Sequence, residues 1–192
     1  MLPPLFLFLP MLSAVLLALL PVSPEIGPLV KKGDQAPVAV CSAVATSMGT
    51  SSRLYTAKHC VIRGGTHLWL PGLVGNGLEP GKSQWKSVTA LAGHQWTLVP
   101  GQDLAWSTSP SFDQALPLGK PPAVGDPVEL VGYPQGKGPQ RVRCIYQGMV
   151  VLSGNPPVLR RSLACQNLPT GPLQGFSGGA VLDAKGHVVG VV

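Results

Sequence analysis

Beyond residue 21 no apolar stretch of this chain keeps a 3.6-residue period; apolar residues come instead in short runs, several alternating with polar ones, between glycines and prolines. Alternation puts one face of an extended segment into a core and leaves the other wet, and a breaker stops the segment after a few residues. With 24 Gly and 21 Pro, turn formers abound between the runs. Such a chain is expected to be all-β, a sandwich or barrel, and 192 residues allow one compact unit or two small ones. Pro37–Ala45 and Arg53–Ala57 read as strands around a turn at Met48–Ser52, and Val128–Gly132, Val142–Tyr146, Met149–Leu152 and Ser162–Cys165 as later ones. The Pro/Ser/Gly-rich stretch Ser107–Ala123 reads as a connection between two halves.

Three short blocks carry chemistry. Gly175-Phe176-Ser177-Gly178-Gly179, followed by the apolar Ala180–Leu182, suggests a bend that presents one hydroxyl at a surface. Amide N–H groups converging in such a turn can stabilise a developing oxyanion, although an ordinary Gly-Ser hairpin loop would read the same in isolation. Thr56-Ala57-Lys58-His59-Cys60 places a histidine directly after a strand, in a short helical turn. Gln102-Asp103-Leu104-Ala105-Trp106 puts an acid at the head of another strand. The rival acid Asp113 lies in Ser/Pro-rich loop sequence, and Asp126 sits in a Gly-Asp-Pro turn. His, Asp and Ser in that order form one of the chain orders in which base, orienting acid and nucleophile occur.

With these blocks in that order, the chain resembles the chymotrypsin/trypsin-like serine peptidases, and the short bacterial and viral members more than digestive trypsins. Val124–Val128 and Val131–Pro134 are similar to the start of the second barrel in bacterial heat-stress peptidases. The resemblance spans about residues 36–192 and implies two six-stranded-type antiparallel β-barrels around a catalytic cleft, the first over about 36–110 and the second over about 122–192. It implies catalytic roles for His59, Asp103 and Ser177, an oxyanion hole from the N–H groups of Gly175 and Ser177, and an S1 base near Thr170 and Gly171. Neither S1 residue is charged, so small or uncharged P1 residues are expected. The four cysteines permit three complete pairings, of which the resemblance favours Cys41–Cys60 and Cys144–Cys165. Disulfides imply an oxidising compartment. No C-x-x-C pair signals zinc, and the scheme requires no metal or cofactor.

Two departures from the family stand out. Phe176 occupies the position before the serine, where digestive members carry an Asp that pairs with a new N-terminus, so activation of that kind is not expected. The chain stops at Val192, where the family continues into a further strand, so the second barrel is expected to be incomplete at its C-terminus.

Residues 2–21 are uncharged and almost wholly apolar, long enough to cross a bilayer and equally suited to a secretory signal. The expectation is a hydrophobic helix in 1–22, acting as signal peptide or membrane anchor, a Pro/Gly/Lys linker over 23–35, and the peptidase domain over 36–192. The protein is expected to be exported: secreted, periplasmic, or membrane-anchored. The net charge of +6 is not gathered in one patch: basic pairs such as Lys31-Lys32, Arg141/Arg143 and Arg160-Arg161 are scattered, with no interleaved aromatics, so no nucleic-acid partner is expected. The resemblance implies a protein or peptide substrate as partner, and residues 2–21 a possible membrane contact. Two other readings compete with an exported endopeptidase: a catalytically incompetent binding module of the same fold, and a membrane-tethered viral polyprotein protease.

Overall fold

The computed structural model describes residues 25–32, 38–72, 89–108, 114–136, 138–153, 158–168 and 175–192. The apolar leader, Asp113, Thr170 and Gly171 lie outside them. The first sheet is built from β1 (Ile26–Lys31), β2 (Val38–Met48), β3 (Ser51–Thr56), β4 (His67–Trp69), β5 (Thr89–Leu91), β6 (Thr97–Leu98) and β7 (Ala105–Ser107). A four-residue helix, α1 (Lys58–Val61), follows β3, and β8 (Leu116–Pro117) runs parallel to β2 at its end. The second sheet holds β9 (Pro127–Gly132), β10 (Gln140–Leu152), β11 (Val158–Cys165), β12 (Ala180–Leu182) and β13 (Val188–Val191). Strand order is β5-β4-β1-β2-β3-β7-β6 in the first sheet and β11-β10-β9-β12-β13 in the second. The protein is thus all-β, with two curled antiparallel sheets of seven and five strands, as expected of a pair of small barrels.

Alternation decides which layer each side chain enters, since central strands such as β1 and β12 are buried on both faces. Leu29, Cys41, Ala43, Ala45, Leu54, Leu91 and Ala105 fill the first half-barrel, and Val128, Leu130, Val142, Cys144, Val181 and Val189 fill the second. Ile26, Val44, Val131, Tyr133, Ala180 and Leu182 form the layer between them. That layer fixes the two sheets relative to each other by burying large apolar surface, worth about 25 cal/mol per Å2. The buried Tyr133 also donates its hydroxyl to the Ile26 carbonyl at 3.0 Å, so β1 is tied to the second sheet.

The expected linker over 23–35 is corrected here. Ile26–Lys31 is a strand, hydrogen-bonded between β2 and β4, with Ile26, Leu29 and Val30 buried. Gly27 and Pro28 made the segment read as loop, but Gly27 is there for space: a Cβ would run into the Leu70 carbonyl. Pro28 is tolerated because its missing N–H is not called on and its carbonyl accepts from Leu70 N–H at 3.1 Å. The described barrel therefore starts at Ile26 rather than 36.

The two segments read as separate strands, Val142–Tyr146 and Met149–Leu152, are one strand with a register shift between Tyr146 and Gly148. Gly148 sits at φ +94°, the backbone such a bulge uses. Both expected disulfides are present: Cys41–Cys60 pins α1 to β2, and Cys144–Cys165 joins directly opposed residues of β10 and β11. Among the described residues no helix is long and apolar enough to cross a membrane.

Candidate active site

His59 lies in the first turn of α1, where a helix leaves its N–H groups without intrahelical acceptors. Asp103 lies in the tight loop between β6 and β7, closed by Val99 N–H on the Leu104 carbonyl at 2.9 Å and by Gly101 at φ +70°. Because β7 pairs with β3 up to Thr56–Ala105, that loop ends beside the start of α1. The carboxylate meets the histidine at two points: His59 N–H donates to Oδ1 at 2.9 Å and Nδ1–H donates to Oδ2 at 2.7 Å. An ionised carboxylate only accepts, so the proton sits on Nδ1 and the Nε2 lone pair is left outward. The side chains remain accessible, at 55% for His59 and 38% for Asp103. Partial burial pushes the Asp103 carboxyl up, but the His59 side-chain and main-chain bonds, with the charges of His59 and Arg160, outweigh it and hold the group below its ordinary range.

Ser177 sits half-buried in a β-turn from Phe176 to Gly179, closed by Gly179 N–H on the Phe176 carbonyl at 2.8 Å. Gly178 at φ +81°, preceded by a residue of negative φ, makes this a type II turn, which glycine suits at its third position. Glycine is also needed for space, since a Cβ on Gly178 would strike the Ser42 carbonyl and Thr56 Oγ1. The turn therefore lies against Thr56 and Ala57, two residues before His59. The hydrogen bonds link His59 with Asp103; the Ser177 hydroxyl has no hydrogen-bond partner among the described residues, and its turn packs against Thr56 and Ala57 at the head of α1.

The residues that seat this turn were not singled out in the sequence. Ser42, fully buried on β2, donates from Oγ to the Gly175 carbonyl at 2.5 Å and accepts there from Tyr133 N–H at 2.8 Å. Its own N–H donates to the Ser177 carbonyl at 2.7 Å, and Thr56 Oγ1 donates to its carbonyl at 2.8 Å. The available signal was a hydroxyl inside the apolar run Val38–Ala45, since a buried hydroxyl is costly unless bonded. Among the described residues, the N–H groups of Gly175 and Ser177 donate to no main-chain acceptor.

Cys41, His59 and Cys60 bring potential metal-ligand atoms within 4.8 Å, but the two sulfurs are bonded to each other and have no thiolate to offer. A hollow of about 750 Å3 behind the second sheet, lined by Pro127, Arg141, Ile145 and Asp183 among others, includes none of His59, Asp103 or Ser177. Of the other histidines, His67 is a packing residue, donating from Nε2 to the Cys60 carbonyl at 3.1 Å.

The sequence model of the trypsin-like peptidase domain matches residues 33–191. No curated protein matches the sequence. Among solved structures, the MamO protease domain from Magnetospirillum magneticum is 16% identical with a TM-score of 0.60, over 89% of this chain and 84% of that one. The Rv3671c protease of M. tuberculosis in its active form is 22% identical with a TM-score of 0.57, over 89% and 70%. The HtrA-type protease AlgW with a tripeptide is 20% identical with a TM-score of 0.59; the match covers 89% of this chain and only 51% of AlgW. At these identities the likeness is one of fold.

Proposed function

Since the chain belongs to the trypsin-like peptidase family, we propose that it is a serine endopeptidase acting through an acyl-enzyme. Ser177 Oγ attacks the scissile carbonyl carbon while His59 Nε2 takes its proton. The carbonyl π electrons move to oxygen, and the tetrahedral oxyanion is received by the N–H groups of Gly175 and Ser177. Collapse expels the amine, which takes the proton from His59; water then repeats the sequence and frees Ser177. Asp103 keeps the imidazole in the tautomer that leaves Nε2 free and stabilises the imidazolium.

The observation that carries this reading is the two-point contact of Asp103 on His59, at 2.9 and 2.7 Å, which fixes both the ring's tautomer and its orientation. Thr170 and Gly171 are the proposed S1 base, for small or uncharged P1 residues. The two disulfides support an oxidising compartment and hence export, with residues 2–21 as leader or anchor. The test is a fluorophosphonate probe: stoichiometric labelling that disappears in Ser177→Ala supports the enzyme. Folded protein that takes up no label would instead identify a binding module.

A further inference from the structure

We propose that Ser42 is a positioning residue for the oxyanion-binding main chain, a role that rests on the peptidase reading above. Each of the two residues whose N–H finds no main-chain acceptor among the described residues, Gly175 and Ser177, has its own carbonyl taken by Ser42. The Gly175 carbonyl receives the Ser42 hydroxyl at 2.5 Å and the Ser177 carbonyl receives the Ser42 N–H at 2.7 Å. One residue of the first sheet thus fixes two alternate peptide planes of a turn that belongs to the second. The peptide between them carries the Ser177 N–H, shares its Cα atoms with both fixed planes, and is itself held by Gly179 N–H on the Phe176 carbonyl at 2.8 Å; the Gly175 N–H is steadied from its carbonyl side alone.

The turn needs such an anchor. Gly175 sits at φ +98° and has no side chain to hold it, so nothing intrinsic opposes rotation of the peptide that follows it. Phe176 supplies no ion pair, being an apolar ring buried in the second core. On the far side, Gly175 is walled by the main chain of Tyr133 to Gln135; a Cβ would come within 2.8 Å of Gln135 N. Pressed from that side, the turn is pulled from the other by Ser42.

The Ser42 hydroxyl has only one proton, and its direction is set. Tyr133 N–H occupies a lone pair at 2.8 Å, which leaves the proton for the Gly175 carbonyl. Opposite Ser42 on β1 stands Pro28, which has no N–H to offer and whose carbonyl is engaged by Leu70. Ser42 and Pro28 form a non-hydrogen-bonded pair of the ladder, as Ala45 N–H on the Glu25 carbonyl sets the alternation, so the Ser42 main chain faces the other way: its N–H goes to Ser177 and its carbonyl takes the Thr56 hydroxyl at 2.8 Å.

The test compares native protein with Ser42→Ala and Ser42→Thr, using an activated peptide ester, a fluorophosphonate, and a peptidyl boronic acid with alanine at P1. The boronate forms a tetrahedral adduct that needs the same two N–H groups. In Ser42→Ala, kcat is expected to fall about 10- to 100-fold with KM within about 3-fold of native, because oxyanion binding develops in the transition state. Boronate affinity is expected to fall by a similar factor, and Ser42→Thr, which keeps the hydroxyl, to recover most of both. If Ser42→Ala does not accumulate folded, Thr56→Val, isosteric and freeing the Ser42 carbonyl, should show the same split at smaller amplitude. Unchanged kcat and boronate affinity in the folded variant overturn the role of Ser42 while leaving the peptidase reading intact. A lowered melting temperature with kcat and boronate affinity unmoved marks a purely structural residue and overturns it equally. Native protein that neither labels nor turns over removes the peptidase reading, and this role with it.

Discussion

Gly178 and Gly186 share the same backbone angle, φ +81°, and differ in what surrounds them. A methyl group on Gly186 meets nothing within 4 Å, whereas one on Gly178 would overlap the Ser42 carbonyl and Thr56 Oγ1 and come within 3.1 Å of Ala57 N. Gly186→Ala therefore isolates the cost of placing a side chain in left-handed backbone, about 1–2 kcal/mol. Gly178→Ala carries the same cost plus that of forcing β2 and β3 away from the turn, about 1–3 kcal/mol more by analogy with overpacked cores. The obstacles are main-chain atoms and a hydroxyl engaged at 2.8 Å, so the overlap cannot be relieved by a side-chain rotation alone. Urea unfolding followed by tryptophan fluorescence would give both values on one scale, provided the slope is unchanged. Gly178→Ala should lower the midpoint clearly more than Gly186→Ala, and should depress ester hydrolysis in protein that is still folded. Equal midpoints for the two variants would refute the claim that close approach, rather than backbone angle alone, demands glycine beside Ser177.

Asp103→Asn should lower kcat in ester hydrolysis by about 1,000- to 10,000-fold with folding retained, since the amide cannot act as an anionic acceptor for the His59 ring. Asp103 is held low in the folded state, so its contribution to stability is in place above the unfolded value of about 3.9 and is lost as pH falls through the lower folded value. Thermal melts between pH 5 and 2.5 should show native protein losing more than Asp103→Asn does. His67 is depressed, chiefly by burial, with Lys31 adding to the shift and the Cys60 bond opposing it. The unfolded chain therefore takes up that proton first, and stability should decline as pH falls below about 6.5; His67→Gln should flatten this part of the melting profile. Opening the Cys41–Cys60 bridge in a double Cys→Ala variant should cost about 3 kcal/mol in urea unfolding, more than most surface changes, because it closes a loop with a separation of 19 residues.

What could be read before the structure was the set of candidate residues, because their settings are local: a histidine after a strand, an acid heading a strand, a serine among glycines. The contact between His59 and Asp103 spans 44 residues, and only their order suggested that they meet. Strand identities followed from alternation, and even the helical turn at His59 was expected. The first strand was missed because Gly27-Pro28 carries a strong loop signal, and tertiary closeness to Leu70 overrode it. Ser42, Thr56 and Tyr133 were missed for a different reason. A serine in a strand is common and its meaning depends on partners 91 and 133 residues away, which no local pattern encodes.

The hydroxyl of Ser42 donates to a carbonyl 133 residues further along the chain. During synthesis the amino-terminal sheet can emerge and close its disulfide while that hydroxyl still lacks its acceptor. Ser177 arrives long after Ser42, into a seat already cut for it. The seat of that turn is therefore shared between the two sheets, and neither sheet alone holds both halves of it.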